Sequence, residues 1–138
     1  MAMLVGSMQH LAAEPVVKVA AVQQKISASD KRLMEAWEQG LSEFKIRCTG
    51  VVVRKLPDDL FGSRHQRFII QLATGQTLLV AHNIDLAPKV ARLRVRDKLI
   101  INGEYIWNDE GGIMHLTHRN PSGSGFHGWI RKNGKTYW

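Results

Sequence analysis

Residues 44–53 read FKIRCTGVVV, and this stretch decides the fold class. Apolar side chains occupy every second position from Phe44 to Cys48, which is the period of a half-buried β-strand. Gly50 then interrupts the pattern, and a glycine in the middle of a strand is typical of a bulge or a sharp bend. The run Val51–Val53 continues the strand beyond this point. The stretch therefore predicts a long first strand that curls around a small barrel.

The residues before this strand have a helical period instead. One apolar stripe predicts a helix over residues 30–44, with Ser29 or Asp30 as its N-terminal cap. The stripe consists of Leu33, Met34, Trp37, Leu41 and Phe44. Such a stripe normally packs against the domain's own core, and the alternative is a surface for a partner protein.

Four more strands are predicted after the first one, over residues 67–72, 77–81, 99–107 and 113–117. Asp85 is expected to cap a short helical turn over residues 86–90, and the tail from residue 120 is expected to be loop-rich, with one strand around residues 129–130. A bent first strand and a short helical element between the third and fourth strands are features of the OB fold. The sequence thus predicts a mainly β protein, a five-stranded OB-like barrel preceded by one N-terminal α-helix.

Residues 93–105 support this fold, because LRVRDKLIINGEY resembles the common fourth-strand pattern of OB domains, L-x-V-G-D-x-V-x-V-x-G. Arg96 stands where that pattern has glycine.

The chain of 138 residues is long enough for a single domain. We expect residues 1–28 to be a flexible extension and residues 29–138 to form the domain, with the barrel over 45–138. No apolar stretch approaches the roughly 20 residues that span a bilayer, and the first residues lack the basic start of a signal peptide, so a cytoplasmic location is expected. The single cysteine, Cys48, excludes an internal disulfide framework.

The charge is distributed unevenly along the chain. Residues 45–138 carry 15 basic and 7 acidic side chains, so the net charge of +7 comes from the predicted barrel. The densest group is Lys89, Arg92, Arg94, Arg96 and Lys98. A basic domain attracts polyanions, most commonly nucleic acid, although the same charge also serves solubility.

Histidines suited to proton transfer at neutral pH lie in or beside the polar clusters of the predicted barrel. His65, His82 and His115 are the candidate catalytic residues of a metal-independent phosphodiesterase, which needs a general base, a general acid and a cation for the phosphate. The other candidate substrate-binding residues are Arg64, Arg67, Asn83, Asp85, Trp107, Thr117, His118 and Arg119. Alternatively, these side chains only hydrogen-bond loops and close the barrel.

The sequence gives only a weak signal for a metal site, because His115 and His118 are three residues apart and would point to opposite faces of a strand. We expect no cofactor, with a divalent metal at His82, Asp85 and His118 as the alternative.

Binding without chemistry is also open. OB barrels bind single strands of nucleic acid through basic grooves and aromatic stacking. In this sequence several aromatic residues lie close to arginines and lysines. Such rings can equally pack in the core of the domain. The candidate rings are Tyr105, Trp107, Phe126, Trp129, Tyr137 and Trp138. The alternative function is a non-catalytic accessory or inhibitor protein that binds another protein through the helix and the aromatic tail.

Four segments carry a family resemblance: LPDDLFGSRHQRFII (56–70), GQTLLVAHNIDLAPKV (75–90), GEYIWNDEGGIMHLTHRNP (103–121) and GWIRKNGKTY (128–137). Through them the chain resembles a family of small bacterial proteins known only as a domain of unknown function. The resemblance implies an OB-like barrel, and the export or anchor segment common among members implies a periplasmic location as the alternative. The polar positions it shares with the family are Ser63, Arg64, His65, Gln66, His82, Asn83, Asp85, Trp107, His115, Thr117 and His118.

Overall fold

The structure, a computed structural model, describes residues 25–138. The expected flexible extension over residues 1–28 therefore falls almost entirely outside the described residues. Within the described part, one helix precedes seven β-strands. No helix in residues 25–138 has the length and apolar character needed to cross a membrane.

The helix α1 spans Ala28–Gln39 and is defined by its two ends. Ser27 and Asp30 form a capping box at the N-terminus, in which each side chain accepts a hydrogen bond from the other residue's backbone N–H. At the other end Gly40 has a φ of 71°, a left-handed conformation that terminates helices. The helix predicted over residues 30–44 therefore differs at both ends. It begins at Ala28 with Ser27, and not Ser29 or Asp30, as the N-cap, and it ends early because the chain leaves the helix at Gly40 and enters β1 at Phe44.

The strands are β1 (Phe44–Asp59), β2 (His65–Gln71), β3 (Thr77–Asn83), β4 (Lys98–Ile106), β5 (Ile113–His115), β6 (Trp129–Lys132) and β7 (Lys135–Tyr137). They form one sheet in the order β1-β2-β3-β5-β4-β6-β7, and β1 also pairs with β4. The first five strands thus pair in a closed ring, in which only β3 and β5 run parallel. The protein is mainly β with one N-terminal helix, as predicted.

The long strand β1 closes the ring because it has two partners. Residues 44–51 pair with β4, whereas residues 51–59 pair with β2. Gly50 lies at this change of partner, and a Cβ there would sit 2.8 Å from Cδ1 of Ile70. A larger residue would force the Ile70 side chain on β2 to shift, so the glycine allows the two strands this close approach without crowding.

The core fills the inside of the ring. It combines alternate residues of the strands with Leu33 and Ala36 of α1, which are completely buried, so the helix packs on its own domain. Cys48 is part of this core, and burial raises the pKa of its thiol to about 12, with a smaller contribution from the charge of Asp30. The thiol is therefore protonated and unreactive at neutral pH.

Three local predictions differ from the structure. The expected helical turn over residues 86–90 is absent, and only a turn follows β3, because Asp85 accepts hydrogen bonds from Arg64 instead of capping a helix. Strand β5 ends at His115, two residues early, because Leu116 has a φ of 55°. The tail contains a complete hairpin, β6–β7, whose turn uses the left-handed pair Asn133 and Gly134.

Candidate functional site

His82 lies inside the ring, at the end of β3, with no exposed surface. Its Nε2 is 2.9 Å from the carbonyl oxygen of Pro88, and its Nδ1 is 2.7 Å from the hydroxyl of Thr117. A carbonyl can only accept, so Nε2 carries the proton and Nδ1 accepts from Thr117. The pKa of His82 is lowered to about 4, chiefly by burial; the hydrogen bond to Pro88 raises it, and the nearby His118 and His65 lower it by smaller amounts. Both ring nitrogens are occupied, which leaves none for a substrate.

Gln66 repeats this arrangement on the neighbouring strand β2, where it is paired with His82. Its amide donates to the carbonyl of Val90 and accepts from the N–H of Val90. Together, Gln66 and His82 tie the connection between β3 and β4 to the inside of the ring. Sequence reasoning had named Gln66 only as a residue shared with the family, although its interior position follows from the alternation of β2.

The cluster around Arg64 organises the surface beside His65. The Nε of Arg64 donates to Asp85 at 2.7 Å, and its backbone N–H donates to the other carboxylate oxygen at 2.9 Å. These hydrogen bonds, the backbone one first, lower the pKa of Asp85. Asn83 accepts from the N–H of Asp85 and completes the turn. These three predicted substrate-binding residues bond to one another and define the turn after β3.

His115 lies on the outer face of the sheet, in a row that crosses three strands. In this row Lys45 is paired with Glu104, and Glu104 is paired with His115. The Glu104 carboxylate accepts from Lys45 at 3.1 Å and lies 2.7 Å from Nε2 of His115. Partial burial raises the pKa of the Glu104 carboxyl, but the hydrogen bonds with Lys45 and His115 lower it by more. The pKa of Glu104 is therefore below its ordinary value. His115 is therefore held by a carboxylate.

The three candidate catalytic histidines occupy different sides of the sheet. His82 points inward, whereas His65 and His115 are outer-face residues of β2 and β5. Strand β3 lies between β2 and β5, and two strand spacings correspond to about 10 Å. The structure brings His65 and His118 close enough to His82 to lower its pKa when they are protonated, but it does not unite His65, His82 and His115 around one reacting group.

The metal alternative also lacks a ligand set. Among residues 25–138, no group of three or more His, Cys, Asp or Glu side chains is arranged to hold a metal ion. His82 is engaged by Thr117 and Pro88, and Asp85 is engaged by Arg64.

The remaining predicted binding residues have individual surroundings. Trp107 donates from Nε1 to the carbonyl of Trp37 and so attaches α1 to the end of β4. Arg67 donates to the carbonyl of Pro57 and lines an open cleft of about 780 Å³ between β1 and residues 89–93. The guanidinium of Arg119 lies 3.9 Å from the centre of the Trp138 ring.

A separate surface, which we call the basic face, combines cations with an aromatic ring. It consists of Arg47, Lys98, Arg131 and Trp129 on the outer side of β1, β4 and β6. Asn102 is paired with Arg47 on one side and with Trp129 on the other. The guanidinium of Arg47 lies 5.5 Å, and that of Arg131 4.4 Å, from the centre of the Trp129 ring.

The positive charge of the basic face is not neutralised. Within residues 25–138, no carboxylate forms an ion pair with Arg47, Lys98 or Arg131. By contrast, Lys132 forms an ion pair with Asp97 and donates to the carbonyl of Arg92. This contact joins β6 to the exposed turn that holds Arg92, Arg94 and Arg96, which extends the positive surface.

Sequence reasoning named Trp129 as a possible binding residue but missed Arg47. The alternation over residues 44–48 does place Arg47 on the solvent side. What the sequence could not supply was the pairing of β4 with both β1 and β6, which brings residues 47, 129 and 131 together.

Two comparisons with known proteins bear on this chain. A family model described as a protein of unknown function (DUF3465) matches residues 16–138. No curated protein matches the sequence significantly.

Proposed function

The chain belongs to DUF3465, a family of proteins of unknown function, and from its own surface we propose that it is an OB-like barrel that binds a phosphate-bearing polymer, best matched by single-stranded nucleic acid. The five-stranded ring, with a first strand shared between two neighbours, supports the OB-like barrel. The basic face supports the binding.

The contact of Trp129 with both Arg47 and Arg131 carries the proposal. Proteins that bind single strands combine a positive surface, which follows the phosphates, with aromatic rings on which bases stack. An arginine already stacked on a ring also presents its second planar face to a base. Within residues 25–138 neither guanidinium has an acidic partner, although the Nε of Arg131 donates to the hydroxyl of Thr136. Such groups beside an indole match a single strand better than they match a duplex, whose bases are already stacked.

The proposal is binding without cleavage. For His82 to transfer a proton, one of its ring nitrogens must lie within hydrogen-bond reach of the substrate, and both are engaged inside the ring. The accessory-protein alternative loses support for a related reason. The helix that would form part of its surface packs on its own domain, because Leu33 and Ala36 are completely buried and the Trp37 indole donates to the carbonyl of Asn108.

The test is the affinity for a fluorescent single-stranded oligonucleotide, measured by anisotropy over a range of salt concentrations. Each phosphate contact contributes a slope of about −0.7 to the plot of log K against log salt for a single strand. We expect Arg47→Ala and Arg131→Ala each to weaken binding and to flatten this slope by nearly one contact. Trp129→Leu should weaken binding by roughly tenfold or more through the loss of stacking.

The matched control is Lys31→Ala, which removes an equal charge from an exposed position on α1. If Lys31→Ala weakens binding as much as Arg47→Ala, the net charge alone explains the affinity and the basic face is refuted. Gel analysis of the same oligonucleotide after incubation tests for cleavage, and shortened products that are absent in His65→Ala and His115→Ala would contradict binding without catalysis.

A further inference from the structure

A small cleft of about 330 Å³ adjoins the basic face at Lys45. Lys45 lies two residues before Arg47 on the same outer side of β1, a separation of about 7 Å. The walls of the cleft are Lys45, Leu116, His118, Asn120, Pro121 and Phe126. The cleft thus combines an aromatic ring with polar side chains at the edge of the proposed strand-binding surface.

His118 presents a hydrogen-bond acceptor to this cleft. His118 is only 7% exposed. Its Nδ1 is 2.7 Å from the carbonyl oxygen of Arg119. That carbonyl requires the proton to be on Nδ1, so the neutral ring carries a lone pair on Nε2. Among residues 25–138, no side chain or backbone group bonds to this Nε2. The Nε2 of this ring is therefore available to a ligand that donates a hydrogen bond.

Asn120 presents the complementary donor. Its side-chain oxygen accepts from both the N–H and the hydroxyl of Ser122, which orients the amide, and no group in residues 25–138 accepts from its NH₂. Phe126 supplies a flat apolar wall, and the ammonium of Lys45 lies 5.4 Å from the centre of its ring. The charge of Lys45 is held by Glu104, so the cleft is not primarily a site for an anion.

We infer that this cleft is a subsite for one unstacked nucleobase, an inference that rests on the proposed function. A base offers a π-face for Phe126 and, along one edge, a donor beside an acceptor, as His118 and Asn120 require. A phosphodiester group of the strand offers only acceptors, which the lone pair of His118 Nε2 repels. The strand's phosphates would then follow Arg47 and Arg131 while one base turns into the cleft.

The test compares nucleoside monophosphates with ribose 5-phosphate, a probe that has no base. Binding of each compound to the full chain is followed by NMR. We expect at least one nucleotide to shift the side-chain resonances of His118 and Phe126, and ribose 5-phosphate to leave them unchanged. His118→Phe, which fills the space without the acceptor, should weaken nucleotide binding about tenfold. Phe126→Leu, in an exposed loop, should do the same through lost stacking and tests the inference independently if His118→Phe fails to fold.

Phe61→Leu is the matched control, because Phe61 is 91% exposed in the loop between β1 and β2 and should not affect nucleotide binding. Equal binding of ribose 5-phosphate, or unchanged affinity in both His118→Phe and Phe126→Leu, would overturn the subsite. The two proposals fail separately. If nucleotides bind in the cleft but oligonucleotides do not bind the protein, only the proposed function is refuted. If oligonucleotide binding depends on Arg47 but not on His118 or Phe126, only the subsite is refuted.

Discussion

Buried His82 should make the stability of this protein depend on pH well above the range in which carboxylates titrate. The ordinary pKa of a histidine is 6.5, and burial lowers that of His82 to about 4. Between these values the unfolded chain binds a proton that the folded protein does not, so unfolding takes up protons and acid favours the unfolded state. Stability is therefore complete above pH 6.5 and falls as the pH drops toward 4.

The size of the effect follows from the two pKa values. Between pH 7 and pH 5 the expected loss is about 2 kcal/mol, and it approaches about 3 kcal/mol at pH 4. Glu104 and Asp85 have lowered pKa values, so their contributions are present above the ordinary carboxylate pKa and are lost only at lower pH. The interval from pH 7 to pH 5 thus isolates the buried imidazole from these two carboxylates.

The measurement is the free energy of unfolding in urea at several pH values between 5 and 7. His82→Gln should be less stable at pH 7 but should lose about 2 kcal/mol less than the natural protein on acidification. Ile130→Val, a truncation in the core at a completely buried residue, should cost about 1 kcal/mol at every pH and keep the pH dependence. Equal pH dependence in the natural protein and in His82→Gln would refute the assignment of His82 as the buried neutral base.

Two further predictions concern backbone geometry. Arg96 has a φ of 84° in the turn before β4, so Arg96→Gly should raise the free energy of unfolding by about 1 kcal/mol. The control Arg96→Ala removes the charge but keeps the Cβ, and it should give no such gain. Equal effects of the two substitutions in thermal unfolding would show that the charge matters instead of the backbone. Gly128 is packed so closely that a Cβ would sit 1.9 Å from the carbonyl oxygen of Leu116, so Gly128→Ala should cost more than about 2 kcal/mol. Gly123 is the control, because a Cβ there would have no atom within 4 Å although its φ is 83°. Gly123→Ala should therefore cost only about 1 kcal/mol. Equal losses of stability in the two glycine variants would contradict the crowding at Gly128.

Much of the fold could be predicted from the sequence because its strands alternate clearly. The two-residue period located five strands. Gly50 lies one residue before Val51, where β1 changes partner, but the irregularities in the register of β1 lie further along, between Val52 and Arg54 and between Leu56 and Asp59. Element ends were less predictable, since they depend on single backbone conformations. Gly40 ends α1 early and Leu116 ends β5 early through left-handed φ values, and at Leu116 the residue type gave no warning.

The hairpin β6–β7 was predictable in principle. Asn133-Gly134 is a strong two-residue turn signal, but the flanking strands are only four and three residues long, too short for a periodic pattern to stand out.

The functional residues were harder to predict, because their roles depend on which face of the sheet each one occupies. His65, His82 and His115 look equivalent along the chain, yet one is inside the ring and two are outside. Arg47 and Trp129 are 82 positions apart and become neighbours only through β4, which separates their strands. A single sequence contains the alternation that orients each side chain, but not the strand order that makes them meet.

The position of Cys48 gives the binding experiments a practical advantage. A sealed, protonated sulfur will not react with maleimide or iodoacetamide reagents at neutral pH. A new cysteine at an exposed position such as Phe61 can then accept a fluorophore selectively while the natural thiol stays in place. Energy transfer from that dye to a labelled oligonucleotide would report the direction in which a bound strand crosses the sheet.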